Sequence, residues 1–203
     1  MNIIKSVYTT DKEIIQAILD LHIKDDRFDI DPCFSSGKFY KGLNEPRLKF
    51  DIRPQRADVI GLDVKDLEYY RFDEWKENRG FKSIIFDPPF MFGTHGQTKN
   101  NIMNKRFSMF DTFDELKQMY QNALGSFYSI LDKGGIVAFK CQDYTDSKTT
   151  MTHCLVYQWA IEVGFYPKDI FIMATNNGRI YNPNLNQKHA RKFHSYWWIF
   201  EKK

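Results

Sequence analysis

A short apolar run decides most of what this 203-residue chain can fold into. Lys82-Ser83-Ile84-Ile85-Phe86-Asp87 reads as a buried strand, and Pro88 and Pro89 stop it, since neither has an N–H for a sheet ladder. Strands and helices alternate around this run. Phe28–Asp31, Leu48–Ile52, Asp58–Leu62, Ile136–Lys140, Asp169–Ala174 and Ser195–Phe200 read as further strands. Thr10-Asp11-Lys12-Glu13 reads as a capping box, with Ile14, Ile15, Ile18, Leu19 and His22 following at helical spacing. Leu67–Asn78, Thr112–Leu131 and Met151–Val163 read as helices, the last two ended by Lys133-Gly134-Gly135 and by Gly164. Seven strands interleaved with helices predict a doubly wound α/β sheet. The last two strands have no helix between them and are expected to pair antiparallel. One connection conflicts with this scheme. Only about five residues, Arg53 to Ala57, separate the second and third strands, whereas a parallel crossover takes about a dozen. Either a crossover helix is missing there or one strand is misassigned.

Composition excludes several classes. Aromatic residues reach 16%, which rules out a disordered chain. No apolar run approaches the roughly 20 residues of a membrane span, and Met1–Asp20 lacks the basic start and apolar centre of a signal peptide. Cys33, Cys141 and Cys154 are odd in number and widely spaced, as expected of a reducing, cytoplasmic compartment. A formal net charge of +3 gives a weak overall field, so any anionic partner must be held by local basic patches.

Phe86-Asp87-Pro88-Pro89-Phe90 lies at the carboxyl end of the best-marked strand, where open α/β sheets bind their ligands. The two prolines stiffen the turn, and Pro88 holds Asp87 extended. Such a turn presents a carboxylate, carbonyl oxygens and the Phe90 ring, a set suited to a planar ring bearing an amine. The plainer reading is a rigid strand-end turn and nothing more. Asp31-Pro32-Cys33-Phe34-Ser35-Ser36-Gly37-Lys38-Phe39-Tyr40 follows the first strand. Here the sequence resembles the amino-methyltransferases of nucleic acids, in which a strand ends in Asp-Pro, then a small-residue loop, then an aromatic residue. Asp31, Pro32, Ser36, Gly37 and Phe39 match in register, and Ser35 stands where that family usually has glycine. The cofactor loop precedes the Asp-Pro-Pro-Phe tetrapeptide, as in some branches of the family. Lys140-Cys141-Gln142-Asp143-Tyr144 and His189-Ala190-Arg191-Lys192-Phe193-His194-Ser195 also look like phage and bacterial members.

The resemblance covers Thr10 to Glu201 and implies a Rossmann-like methyltransferase fold of seven mostly parallel strands, the C-terminal one antiparallel. It implies S-adenosylmethionine as cofactor, held by Asp31, Cys33, Ser35, Ser36 and Gly37, by Asp51 at the ribose and by Asp63 at the adenine amine. It implies catalysis by Asp87, Pro88, Pro89 and Phe90 on the exocyclic amine of adenine in DNA, in a bacterial or phage-infected cell. Cytosine, RNA, or a protein or small-molecule amine satisfies the same chemistry. A non-catalytic subunit of the same fold is the alternative that Ser35 favours. The tetrapeptide with Asp first favours adenine by resemblance alone. A core of this kind uses nearly all of residues 1–203 as one domain without a separate target-recognition domain. Sequence reading would then fall to loops, a second subunit or a homodimer, and short or relaxed specificity is expected.

Other chemistries fit less well. A phosphate loop ending in Ser36-Gly37-Lys38 fails, because Pro32 takes the first glycine position and Phe39 replaces the Ser/Thr. No Gly-x-Ser-x-Gly nucleophile motif exists. Cys141, His153, Cys154, His189 and His194 match no zinc spacing, so no metal is expected. Two acid-free segments are candidates for a nucleic-acid surface, the alternative being ordinary solvated loops. Met91–Phe110 carries Lys99, Lys105 and Arg106, with Phe92 and His95 able to stack on a base; Asn176–Tyr196 carries Arg179, Lys188, Arg191 and Lys192.

Overall fold

The computed structural model describes residues 3–72, 80–93, 110–145, 148–175, 188–190 and 192–203. Its strands are β1 (Val7–Tyr8), β2 (Ile30–Asp31), β3 (Leu48–Asp51), β4 (Ile60–Gly61), β5 (Phe81–Phe86), β6 (Leu131–Cys141), β7 (Tyr144–Thr145), β8 (Thr149–Thr150), β9 (Phe165–Ala174) and β10 (His194–Lys202). The α-helices are α1 (Asp11–Ile18), α2 (Phe113–Ile130) and α3 (Thr152–Val163). Eight strands form one sheet in the order β1-β9-β10-β6-β5-β2-β3-β4, while β7 and β8 make a separate hairpin. Strand β10 runs antiparallel to both of its neighbours, β6 and β9. The other pairs in the sheet are parallel. The fold is therefore a mixed α/β, Rossmann-like, mostly parallel sheet with its last two strands paired antiparallel.

Three expectations need correction. The sheet has eight strands, not seven, because β1 adds to its edge beside β9 with Val7 opposite Ile172. Two residues carry no readable alternation. The helix expected over Leu67–Asn78 is a 3₁₀ helix, Val64–Tyr69, capped by Asp63 accepting from the Lys65 N–H; residues 73–79 lie outside the described residues. The first expected strand shortens to Ile30–Asp31.

The conflict between the second and third strands resolves without a crossover helix. Strands β3 and β4 are both real and parallel, with Phe50 opposite Ile60 and Asp51 opposite Gly61. A pairing this short retraces only about 7 Å, so residues 52–59 suffice as a loop. Arg56 staples that loop, forking onto Glu45 at 2.6 and 3.1 Å and onto Asp58 at 2.9 and 2.6 Å. The fork geometry suits guanidinium and carboxylate.

Helices cover both faces. The capping box that opens α1 is present: Thr10 Oγ1 accepts from the Glu13 N–H, and Glu13 accepts from the Thr10 N–H. Its apolar stripe, Ile14, Ile15 and Ile18, packs with Ile85, Ala138, Phe171, Trp197 and Ile199 on one face of the sheet. On the other face, α2 buries Leu116, Tyr120, Ala123, Leu124 and Phe127 with Ile84, Phe86, Val137 and Phe139, joined by Val156, Trp159 and Ala160 of α3. Phe86 sits mid-core, 5.0 Å in ring-centroid distance from both Phe127 and Phe139. Burying a ring of this size contributes roughly 2–3 kcal/mol. Alternation along β5 sends Ile85 and Asp87 to the α1 side, and alternation along β6 sends Ala138 and Lys140 there too. That parity sets which groups share the cleft.

Candidate active site

The loop after β2 folds around two carboxylates. Asp31 is buried; its Oδ1 accepts from the Cys33 N–H at 2.8 Å and its Oδ2 from the Tyr40 hydroxyl at 2.6 Å. Asp51, at the end of β3, accepts from the Ser35 N–H at 2.8 Å and from the Arg53 N–H at 2.7 Å. Between these anchors the chain turns through the left-handed region twice, at Ser35 (φ +55) and at Gly37 (φ +73). The first supplies a glycine-like conformation with a serine. At the second, no side chain fits: a Cβ would lie 2.7 Å from Arg56 Nη1 and 2.8 Å from Phe34 Cζ. The Phe34 ring is buried, stacked on Tyr40 at 5.5 Å and capped by the Arg56 guanidinium at 5.1 Å. Cys33 and Ser36 are half-buried on this loop. Asp63 lies just past β4, where it caps the 3₁₀ helix.

Asp87 follows β5 directly, with Pro88 buried and Asp87, Pro89 and Phe90 half-buried. The Tyr120 hydroxyl of α2 donates to the Pro89 carbonyl at 3.0 Å, tying the turn to the core. Beyond it, Phe92 bridges to Phe110 and packs on Phe113 and Tyr144, with centroids 5.4 and 4.6 Å away. On the α1 side, Lys140 Nζ donates to Asp11 Oδ2 at 2.9 Å and to Asp87 Oδ2 at 3.4 Å. Trp197 Nε1 donates to the other oxygen of Asp11 at 3.1 Å.

The electrostatics join these pieces into one site. Burial pushes the Asp31 carboxyl up to about 7, with Tyr40 and the Cys33 N–H pulling it down and Asp87 and Asp51 pushing it further up. Burial also raises Asp87; Lys140 opposes that rise and Asp11 adds to it. Burial disfavours the Lys140 ammonium, but Asp87 and Asp11 outweigh it and hold the amine above its ordinary value. The Cys33 thiol is pushed well up by burial and then by Asp31, Asp51, Asp87 and Asp63. All four acids singled out in the sequence therefore bear on a single sulfur.

The remaining expected residues divide as follows. Lys99, Lys105, Arg106, Arg179 and Arg191 lie outside the described residues. Lys188 is exposed and Lys192 half-buried near the start of β10. His153 lies with its Nδ1 2.7 Å from Asp143 Oδ1 and its Nε2 3.3 Å from Cys154 Sγ, and it stacks on Tyr196 at 4.2 Å. Among the described residues no group of three His, Cys, Asp or Glu is placed to hold a metal ion, and no helix is long and apolar enough to cross a membrane. The sequence alone did not reveal the parts played by Asp11, Tyr120 and Trp197. Asp11 was hidden inside a capping box that already explained it, and the other two looked like core aromatics.

No protein-family model matches the sequence, and no curated protein matches it. Solved structures do resemble the fold. TrmN from Thermus thermophilus gives a TM-score of 0.55 at 16% identity, covering 94% of this chain and 48% of that one. A Streptococcus thermophilus protein named as a candidate hemolysin gives 0.51 at 15% identity, covering 95% and 64%. The chain spans about half the length of the TrmN structure. At these identities the likeness establishes a shared α/β fold.

Proposed function

We propose that this protein transfers a methyl group from S-adenosylmethionine to the exocyclic amine of adenine in DNA. The carrying observation is that the Asp87-Pro88-Pro89-Phe90 turn and the Asp31 loop end neighbouring strands on one side of the sheet, their carboxyl groups close enough to perturb each other.

The residues present fit the cofactor. The chain at Gly37 has no space for a Cβ, and the loop it closes brings carboxylates to both ends of a compact cradle. In this reading Asp31, Cys33, Ser35, Ser36, Gly37, Asp51 and Asp63 hold the cofactor, with Asp51 at the ribose and Asp63 at the adenine amine. When bound, the sulfonium supplies an electrophilic methyl group. Ser35 holds a left-handed conformation that glycine adopts readily, with its N–H on Asp51.

An exocyclic amine is a poor nucleophile because its lone pair is delocalised into the ring. Asp87 and the Pro88 carbonyl accept its two N–H bonds and draw the nitrogen towards a tetrahedral shape, freeing the lone pair. The Phe90 ring stacks on the base. Asp87 acts by position and charge; the N–C bond would form as the sulfonium S–C bond breaks, S-adenosylhomocysteine would leave as the neutral thioether, and the proton would pass to water after transfer. The target base must first leave the duplex stack or come from a single strand. Lys99, Lys105, Arg106, Arg179, Arg191 and Lys192 are the cations assigned to the phosphates.

Labelled-methyl transfer to single-stranded DNA, duplex DNA and RNA, followed by nucleoside identification, tests this. N6-methyladenine in DNA is expected. Label in RNA alone, in cytosine, or in neither nucleic acid would overturn adenine in DNA as the substrate.

A further inference from the structure

We infer that Lys140 is a positioning residue for Asp87: its ammonium takes one oxygen of the carboxylate and leaves the other to the substrate amine. The inference rests on the proposed methyl transfer at Asp87.

Lys140 is the penultimate residue of β6, at the cleft end of that strand, and its relative exposure is 8%. A lysine buried that deeply needs a fixed set of partners. It has four, from four elements. Asp87 Oδ2 and Asp11 Oδ2 accept from it at 3.4 and 2.9 Å. The rings of Phe39 and Trp197 lie with centroids 5.3 and 5.5 Å from Nζ and stack on each other at 5.8 Å. Trp197 closes the chain by donating to Asp11. One ammonium thus connects the start of α1, the aromatic residue of the Asp31 loop, β10 and the turn after β5. The stiff prolines fix the backbone of Asp87 but leave its side chain to rotate. The contact to Lys140 supplies the missing constraint and favours the ionised form, which accepts from an amine.

Asp11 competes with Asp87 for that ammonium. The two therefore act on Asp87 in opposite directions: Lys140 favours its charge, and Asp11 opposes it. Lys140 from β6 and Asp11 from α1 act on this carboxylate, and it in turn acts on Asp31, Cys33 and Tyr40 of the loop after β2 and on Tyr120 of α2.

The test is the pH dependence of single-turnover methyl transfer by the full chain at saturating S-adenosylmethionine. Lys140→Met is expected to slow transfer roughly a hundredfold and to move the acid limb to higher pH, because Asp87 ionises less readily. Asp11→Asn is expected to move the same limb to lower pH, because it removes a repelling carboxylate and gives Lys140 to Asp87 alone. Lys140→Arg, which keeps the charge, returns the limb towards wild type. A loosened fold does not displace the limb in opposite directions. Acid limbs unmoved in Lys140→Met and Asp11→Asn would overturn the inference, whatever the rates. If Lys140→Met does not fold, an unmoved Asp11→Asn limb overturns it alone. Carbon-13 NMR titration of the Asp87 carboxyl, assigned by its loss in Asp87→Asn, gives the same readout without turnover. A wild-type chain that transfers no methyl group defeats the functional reading, while opposite shifts in the NMR titration still support Lys140 and their absence still removes it.

Discussion

The Tyr40 hydroxyl donates to Asp31 Oδ2 at 2.6 Å, inside a loop that buries both residues. Even with that bond and the Cys33 N–H, burial dominates and the carboxyl titrates at about 7 instead of the ordinary 3.8. The fold therefore holds the proton more tightly than the unfolded chain does. Its contribution to stability is complete below about pH 4 and is lost as pH rises to 7. A shift of that size corresponds to something on the order of 4 kcal/mol. Urea denaturation of the wild type is expected to show declining stability from pH 4.5 to about 8. Asp31→Asn, which keeps an acceptor for Tyr40, should flatten that decline. A wild type equally stable at both ends, relative to Asp31→Asn, would show that Asp31 is not the group responsible.

Two left-handed residues in the same loop predict opposite outcomes. Ser35 adopts φ +55 with its N–H on Asp51, a conformation that costs a non-glycine residue about 1 kcal/mol. Ser35→Gly should relieve most of that and raise the melting temperature by about 1–3 °C. Gly37→Ala would force a Cβ to within 2.7 Å of Arg56 and 2.8 Å of Phe34. It should cost roughly 2 kcal/mol or more and weaken S-adenosylmethionine binding together with stability. Calorimetry of both variants, with and without the cofactor, checks the pair.

How far the sequence anticipated this site depends on how local each signal is. Thr112 caps α2 by accepting from the Glu115 N–H at 3.2 Å, a contact three residues long and written in the local sequence. The Lys82–Asp87 run announced a buried strand, and β5 is one. The link between β3 and β4 defeated a rule about crossovers because that rule assumes strands of ordinary length. The 3₁₀ helix at Val64–Tyr69 replaces an expected longer helix because its apolar residues, Val64 and Leu67, suit either spacing. Lys140 was visible in a family-like pentapeptide, but its partner Asp11 lies 129 residues away. No periodicity relates two such positions, so a single sequence cannot reveal their pairing.

In the proposed mechanism, removing the Asp87 carboxylate should separate binding from chemistry. Asp87 lies at the end of β5, whereas the direct contacts of the cofactor cradle run through Asp31, Ser35 and Asp51. Asp87→Ala is expected to lower methyl transfer by roughly 10³-fold while changing S-adenosylmethionine affinity less than about threefold. Removing an acid from this crowded set also relieves Asp31, whose carboxyl Asp87 pushes up, so its titration should move down in the same variant. Wild-type turnover in Asp87→Ala would end the proposed mechanism.

The rigidity of the Asp87-Pro88-Pro89-Phe90 turn has a second source besides its prolines. Tyr120 reaches from α2 to donate to the Pro89 carbonyl at 3.0 Å. Its ring stays fixed by Phe139 at 5.1 Å and by Phe86 and Trp159 at 6.5 Å. Tyr120→Phe keeps those ring contacts and deletes only the hydroxyl. The Pro89 carbonyl then loses its partner in a part-buried setting, which should cost about 1 kcal/mol of stability. Because that carbonyl belongs to the residue after Pro88, whose own carbonyl holds the amine in the proposed mechanism, the loss should also register in the chemistry. Single-turnover transfer is expected to fall about tenfold with cofactor affinity unchanged. A variant that lost stability but kept its rate would show that the prolines alone hold the turn.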